Sequence, residues 1–346
     1  MAKFKTARKK NKLKISACYI VKNNAAELEI SLRSMKKFVD EIIVTDTGST
    51  DDTVKVAEKF GAKIFHYAWN DDFAAARNFA LSNVSGDWII FLDADEFFTN
   101  LTAKNIRPAI ERVAQHKKNA LLINLVNIDT DNGNKILDDT YCLRIFKNLP
   151  GLHYVGKIHE ELRVDDKNIS GIIFVPPDVL QIYHTGYSTS LSREKAERNL
   201  KMLLAELEET NEPQRIYGYI AECYDGLNDV ANAEKFARLD IESGKKQTTF
   251  ESTSYRIILK ILARDSARAD ERKIFAERAV EDFPNMPEFI AELAECHAVA
   301  GNFKKAIEAG ETALKKFAGY RETEPTTFDA ENAKFLEQRI KIWSAM

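Results

Sequence analysis

Between residue 14 and about residue 190, short apolar runs alternate with stretches of helical periodicity. The runs "KISACYIV", "EIIVTD", "AKIFHY", "DWIIFLDAD", "ALLINLVNI", "LRIF" and "IIFVPPDVLQIYH" read as strands, being short and rich in β-branched and aromatic residues. Helices are predicted over 25–39, where Leu28, Leu32, Met35 and Val39 share one face, then over 51–60 and 72–84. Alternation of this kind builds a mainly parallel sheet covered by helices on both faces. In such sheets ligands bind beyond the carboxyl ends of the strands, so the residues at those ends carry the candidate chemistry.

Past residue 191 the strands stop and helix follows helix. The segments "AECYDGLNDVANAEKFA", from Ala221, and "AECHAVAGNFKKAIEAG", from Ala294, align, and "ADERKIFAERAVEDFP" lies between them. Half the spacing of the outer two is close to the roughly 34-residue period of tetratricopeptide helix pairs. Small residues such as Ala233 and Ala306 let paired helices approach. The expected organisation is a basic flexible tail at 1–12, an α/β domain at 13–190 and an all-α tetratricopeptide-like domain at 191–346. The last helix, near 332–343, would cap a short solenoid.

Composition narrows the class. A chain of 346 residues suits two or three domains. Its 45% hydrophobic and 30% charged residues fit a soluble globular protein, and no apolar run of about 18 residues is there to span a bilayer. The first 14 residues carry seven basic and no acidic side chains in a chain of net charge -3, so a basic tail precedes an acidic body. The tail lacks the apolar segment of a secretory signal; it reads as a solvating tail, with weak attraction to anionic lipid or nucleic acid as the alternative. Cys18, Cys142, Cys223 and Cys296 are far apart and form no paired metal-ligand spacing. They read as small buried hydrophobes in a reducing cytoplasm.

Candidate chemistry gathers at four strand ends. Asp46 closes "EIIVTD" and enters a Gly-containing turn, where it can accept hydrogen bonds from a ligand's ring N–H or hydroxyls, or equally cap the turn itself. Asp93 and Asp95 end a fully apolar run in "DWIIFLDADEFF"; in an extended segment both would face one side and converge on one cation. In "DDFAAARNFAL", Asn70 or Asp71 would cap a helix with Phe73 and Phe79 towards the core. Arg77 then lies on a flank, where it could meet a phosphate or pair with a nearby carboxylate. In "GLHYVGKIHEEL", Glu160 is a candidate general base, and His184 in "QIYHTGY" a candidate metal ligand. Position 163 is Arg, so His159-Glu160-Glu161 lacks the second His of a zincin. GxGxxG, GxxxxGK[ST] and GxSxG are all absent, which removes support for a dinucleotide fold, a P-loop and a hydrolase elbow.

In order, "ISACYIVKNNAAELEISLRS", "VDEIIVTDTGSTDDT", "WNDDFAAARNFAL", "GDWIIFLDADE" and "VGKIHEEL" resemble the family 2 glycosyltransferases of the GT-A fold. The likeness is greatest to the bacterial branch with an appended tetratricopeptide region and covers roughly 13–190. It implies a metal-dependent inverting glycosyltransferase of the hexosyltransferase type, with Mn2+ or Mg2+, that moves one sugar from a nucleoside-diphosphate donor, usually UDP-linked. By this resemblance Asp46, Arg77, Asp93 and Lys22 bind the donor nucleotide. Asp95, Asp93 and His184 serve the metal through the DxD motif, and Glu160, with Glu161 as its alternate, is the base. The QxxRW motif of processive members is absent, which favours single-sugar transfer to a saccharide, lipid-linked or peptide acceptor. A protein partner on the helical repeats, no nucleic acid, and a cytoplasmic location with at most peripheral membrane contact complete the expectation. The competing readings are a non-catalytic repeat scaffold with a degenerate nucleotide-binding domain, and a sugar-nucleotide pyrophosphorylase.

Overall fold

The computed structural model describes residues 12–185, 192–244, 251–322 and 324–346. All but Lys12 of the basic tail expected at 1–12 lies outside them. The chain divides into two compact units, 1–189 and 190–346.

In chain order the first unit comprises β1 (Ile15–Val21), α1 (Ala25–Met35), β2 (Glu41–Asp46), α2 (Thr53–Lys59), β3 (Lys63–His66), α3 (Phe73–Ser82), β4 (Trp88–Phe91), β5 (Glu96–Phe98) and α4 (Ile106–Gln115). There follow β6 (Ala120–Asp129), β7 (Lys135–Lys147), β8 (Leu152–Val155), β9 (Glu161–Val164), β10 (Lys167–Asn168), β11 (Ile172–Phe174) and β12 (Gln181–His184). The main sheet runs β3-β2-β1-β4-β7-β6-β12-β5, with β11 also on β6, while β10-β9-β8 form a small separate sheet. β3, β2, β1 and β4 are parallel, as are β6 with β11 and β12. β7 runs against both β4 and β6, and β5 against β12. The sheet is thus mixed but mostly parallel.

The apolar runs sort themselves by alternation. Trp88 and Ile90 join Tyr19, Val44 and the inner faces of α1, α2 and α4 in one core. Ile89 and Phe91 join Cys18, Ile43, α3 and the small sheet in the other. Both faces of β4 are therefore covered, which is why "WIIF" is apolar throughout.

Several expected boundaries shift. The helix expected over 25–39 ends at Met35, and that expected over 51–60 begins at Thr53. "IIFVPPDVLQIYH" is two strands, because Pro176 and Pro177 remove consecutive ladder donors between β11 and β12. Among the described residues none of the cysteines forms a disulfide; three are buried and Cys142 is half-buried.

The second unit is all-helical: α5 (Ser192–Glu209), α6 (Tyr217–Gly226), α7 (Val230–Glu242), α8 (Thr253–Leu262), α9 (Ala269–Asp282), α10 (Pro287–Val299), α11 (Phe303–Ala318) and α12 (Ala330–Ser344). Ala294, Ala306 and Ala313 are fully buried between neighbours, as close helix pairing requires. At α12 the Asp329 side chain accepts from the Asn332 N–H, and the Asn332 side chain accepts from the Asp329 N–H. No helix among the described residues is long and apolar enough to cross a membrane.

Candidate functional site at the carboxyl ends of the strands

β2 ends on Asp46, which is 4% exposed. Its carboxylate accepts the N–H of Gly48 at 3.3 Å and of Ser49 at 3.1 Å, and meets His66 Nδ1 at 3.4 Å. Gly48 has φ of 106°, which suits glycine. Asp46 thus organises its own turn. The turn after β1 is tied to it: Asn23 Oδ1 accepts from Thr50 N at 2.7 Å, and Ala25 N donates to Asp51 at 3.2 Å. Lys22, just before Asn23, is exposed. Asp51 accepts from Thr53 N at 3.0 Å at the start of α2.

After Phe91 the chain turns rather than continuing extended, with Glu96 N donating to Asp93 O at 3.1 Å. Asp93 and Asp95 therefore stand on a tight turn and meet different partners. Arg77 Nη2 donates to Asp93 Oδ1 at 2.7 Å, and Arg144 Nη2 donates to Asp93 Oδ2 at 2.9 Å. Arg144 also holds Glu96, through Nε at 2.8 Å and Nη2 at 2.6 Å. The apolar strand can end on a carboxylate because two arginines, from α3 and β7, neutralise it.

α3 is started by Asp72, whose side chain accepts from Ala75 N at 2.8 Å; neither Asn70 nor Asp71 is its cap. Phe73 and Phe79 are only half-buried, and the buried face consists of Ala74, Ala76, Arg77 and Ala80. Arg77 lies inward, 6% exposed, its guanidinium 4.8 Å from the ring centre of Phe91 and 5.6 Å from that of Tyr154. Its Nε donates to Glu160 Oε1 at 2.9 Å. Its Nη1 is buried and makes no hydrogen bond among the described residues. Burial alone would push the Asp93 carboxyl up, but Arg77 and Arg144 hold it well below the usual carboxylate range. For Glu96 burial prevails over Arg144 and raises it.

β12 ends on His184. Its Nε2 is 3.3 Å from Asp95 Oδ2, and its Nδ1 is 2.8 Å from Asn127 Oδ1. Burial works against the charged ring, but the hydrogen bond and charge of Asp95 outweigh it and raise the pKa above the usual imidazole value.

Arg77, Asp93, Glu160, Asp95 and His184 thus converge from four segments, α3, the DxD turn, the approach to β9 and the end of β12, with Arg144, Glu96 and Asn127 completing the network. Residues 16–174 match the sequence profile of Glycosyl transferase family 2. They form a family 2 glycosyl transferase domain. The chain is 30% identical over 241 residues to a TPR repeat-containing protein of Synechococcus elongatus, a match covering 67% of this chain and 58% of the relative. It is 30% identical over 197 residues to the SPbeta prophage-derived glycosyltransferase SunS of Bacillus subtilis, covering 54% of this chain and 44% of that one. The crystal structure of S. aureus TarS 1-349 overlays with a TM-score of 0.40 at 16% identity, covering 92% of this chain and 97% of that one. The chain spans less than two thirds of the length of the curated relatives it matches.

Within the transferase domain, Glu160 and Glu161 separate. Glu160 pairs with Arg77, whereas Glu161, the first residue of β9, accepts from Arg163 Nη2 at 3.0 Å. Among the described residues no three of His, Cys, Asp and Glu form a metal-ready cluster; Asp93 lies between its arginines. Asp95 and His184 approach each other as a pair. A Mn2+ or Mg2+ ion that takes its remaining ligands from water and a diphosphate fits such a half-site, since these ions are often held by one or two protein groups plus substrate phosphates. Sequence reading missed Arg144, Glu96 and Asn127. Arg144 sits inside the run "LRIF", where a lone arginine carries no signal, and only the β4–β7 pairing brings β7 alongside the DxD turn.

Proposed function

We propose that this chain is a metal-dependent, inverting glycosyltransferase that moves a single sugar from a UDP-linked donor to a saccharide, lipid-linked or peptide acceptor. The observation that carries the reading is the pairing of Asp95 with His184 at 3.3 Å, beside an arginine whose Nη1 lacks a partner among the described residues. A buried guanidinium donor left unmatched is costly unless a ligand completes it; a donor phosphate is an acceptor of the right charge and geometry.

In this reading Asp95 and His184 hold the cation, which when bound would neutralise charge on the departing diphosphate. Asp46 and Lys22 serve the nucleotide end, and Arg77 and Asp93 the segment between base and sugar. Glu160 is the base. Arg77 fixes it through Oε1, leaving Oε2 to take the proton of the acceptor hydroxyl as that oxygen attacks the anomeric carbon. Attack from the face opposite the diphosphate inverts the centre. Glu161 is held by Arg163 and is the weaker candidate. The helical unit would hold the acceptor or a protein partner, and the enzyme would work in the cytoplasm, with at most peripheral membrane contact.

The test is thermal stability with Mn2+ alone and with Mn2+ plus each of UDP, GDP, CDP and ADP. A ligand of the native state raises the midpoint by mass action. A shift selective for UDP that disappears with a chelator or in Asp95→Ala is expected. No shift with any nucleotide would overturn the reading in favour of a scaffold built on the helical unit.

A further inference from the structure

We infer that Asn127 and Asp138 are positioning residues that fix which ring nitrogen His184 presents to Asp95, and so prepare that pair to receive a divalent cation. The inference rests on the metal dependence proposed above. Neither residue belongs to any of the strand-end motifs.

The register brings them together. Asn127 pairs with His184 across the parallel β6–β12 ladder and with Asp138 across the antiparallel β6–β7 ladder. Directly paired residues share a face of the sheet, so Asp138, Asn127 and His184 stand in one transverse row. Glu96, opposite His184 on β5, extends it.

Hydrogen-bond polarity then leaves one arrangement. Asn127 is 5% exposed, so both halves of its amide need partners. An ionised carboxylate only accepts, so the amide nitrogen faces Asp138, to which it donates. The amide oxygen therefore faces His184 Nδ1, at 2.8 Å. An oxygen can only accept from that nitrogen, so Nδ1 carries the hydrogen. While both nitrogens carry hydrogens, Nε2 donates to Asp95 at 3.3 Å; when the ring gives one up it is Nε2, facing Asp95, that is left with the lone pair, because Nδ1 stays bonded to Asn127. Reversing the Asn127 amide would set its oxygen against a carboxylate and its N–H2 against Nδ1. The row thus selects the tautomer that ligates through Nε2.

The test compares the full-length chain with Asn127→Leu and with the double variant Asn127→Asp/Asp138→Asn. The double variant exchanges donor and acceptor between the two positions and keeps an acceptor on Nδ1. Mn2+ affinity is measured by electron paramagnetic resonance in the presence of UDP, with thermal midpoints alongside. Asn127→Leu should weaken Mn2+ binding about 10- to 100-fold, and the double variant should regain most of it. Undiminished affinity in folded Asn127→Leu, or a double variant as weak as Asn127→Leu, would overturn the inference. A second readout separates it from the reading it rests on. Nitrogen-15 spectra of the metal-free protein, taken above the ring's titration and assigned with His184→Gln, should show the Nδ1–H tautomer, lost in Asn127→Leu. If wild type binds no Mn2+ yet shows that tautomer, the metal reading fails and the positioning stands. An Nε2–H tautomer in wild type overturns the positioning itself.

Discussion

At the amino end of β2, Glu41 is buried with its carboxylate fully engaged. Ser16 Oγ donates at 2.7 Å, Ser85 N at 2.9 Å, Ser85 Oγ at 2.6 Å and Lys63 Nζ at 2.8 Å. At the opposite end of the sheet Asp93 is also held by cations, but these cations are themselves inside the protein, and Arg77 retains a donor that meets no acceptor among the described residues. Both carboxyls are held well below the usual range despite burial, Glu41 chiefly by Lys63, Ser85 and Ser16, and Asp93 by its two arginines. The lesson lies in the remainder. Glu41 leaves no bonding capacity over, and its lysines, Lys63 and, at 3.3 Å, Lys14, keep their contact with water. The Asp93 network leaves a directed cationic donor at the ligand-binding edge of the sheet. A closed network holds strands together; an open one awaits an anion.

The largest effect should come from the open end. Asp95→Ala is expected to lower sugar transfer by about 100- to 1,000-fold with the thermal midpoint nearly unchanged, measured as turnover of a UDP-sugar; near-normal turnover would break the contrast. Next, Arg77→Met should cost about 3–5 kcal/mol in denaturant unfolding, because Asp93 and Glu160 lose the cation they share. A loss below about 1 kcal/mol would mean that Arg144 alone suffices. At the closed end, Glu41→Gln should cost about 1–3 kcal/mol while turnover per folded molecule stays the same. The pH dependence sharpens this. Glu41 has a lower pKa folded than unfolded, so its stabilisation is complete above the ordinary carboxylate range and is lost progressively as pH falls below that range towards the lowered folded pKa. The stability gap between wild type and Glu41→Gln should therefore close on acidification, and a gap that persists in acid would assign the effect to packing. The smallest effect is expected from Asp72→Ala, about 1 kcal/mol for the lost cap of α3, with a modest fall in turnover as the helix carrying Arg77 frays.

The sheet and its ligand edge were legible because their signals are local. Apolar runs, helical periodicity and acids at strand ends need no partner to be seen, and Asp93, Asp95, Arg77, Glu160 and His184 do meet at one end of the sheet. The rest depends on who lies beside whom. Arg144 and Asn127 are polar residues inside strands with no motif around them, and their roles exist only through the β4–β7 and β6–β12 registers. The expectation of an extended DxD segment failed for a related reason. The turn is set by Glu96, whose side chain accepts from Asp93 N at 3.1 Å while Arg144 holds it from another strand. Helix α4 was passed over although Ile106, Ile110 and Val113 mark its buried face; it follows a connection, not one of the early strand–helix units on which the periodicity reading was built.

The strand order has a consequence for the growing chain. β1 to β4 emerge from the ribosome together with their own helices, yet Arg144, the second arginine that balances Asp93, belongs to β7, and β5 takes its place only beside β12. Contacts that close long loops form late. The half of the sheet that carries Asp46 and Asp93 can thus assemble early, whereas the site as a whole is finished only once His184 has been made.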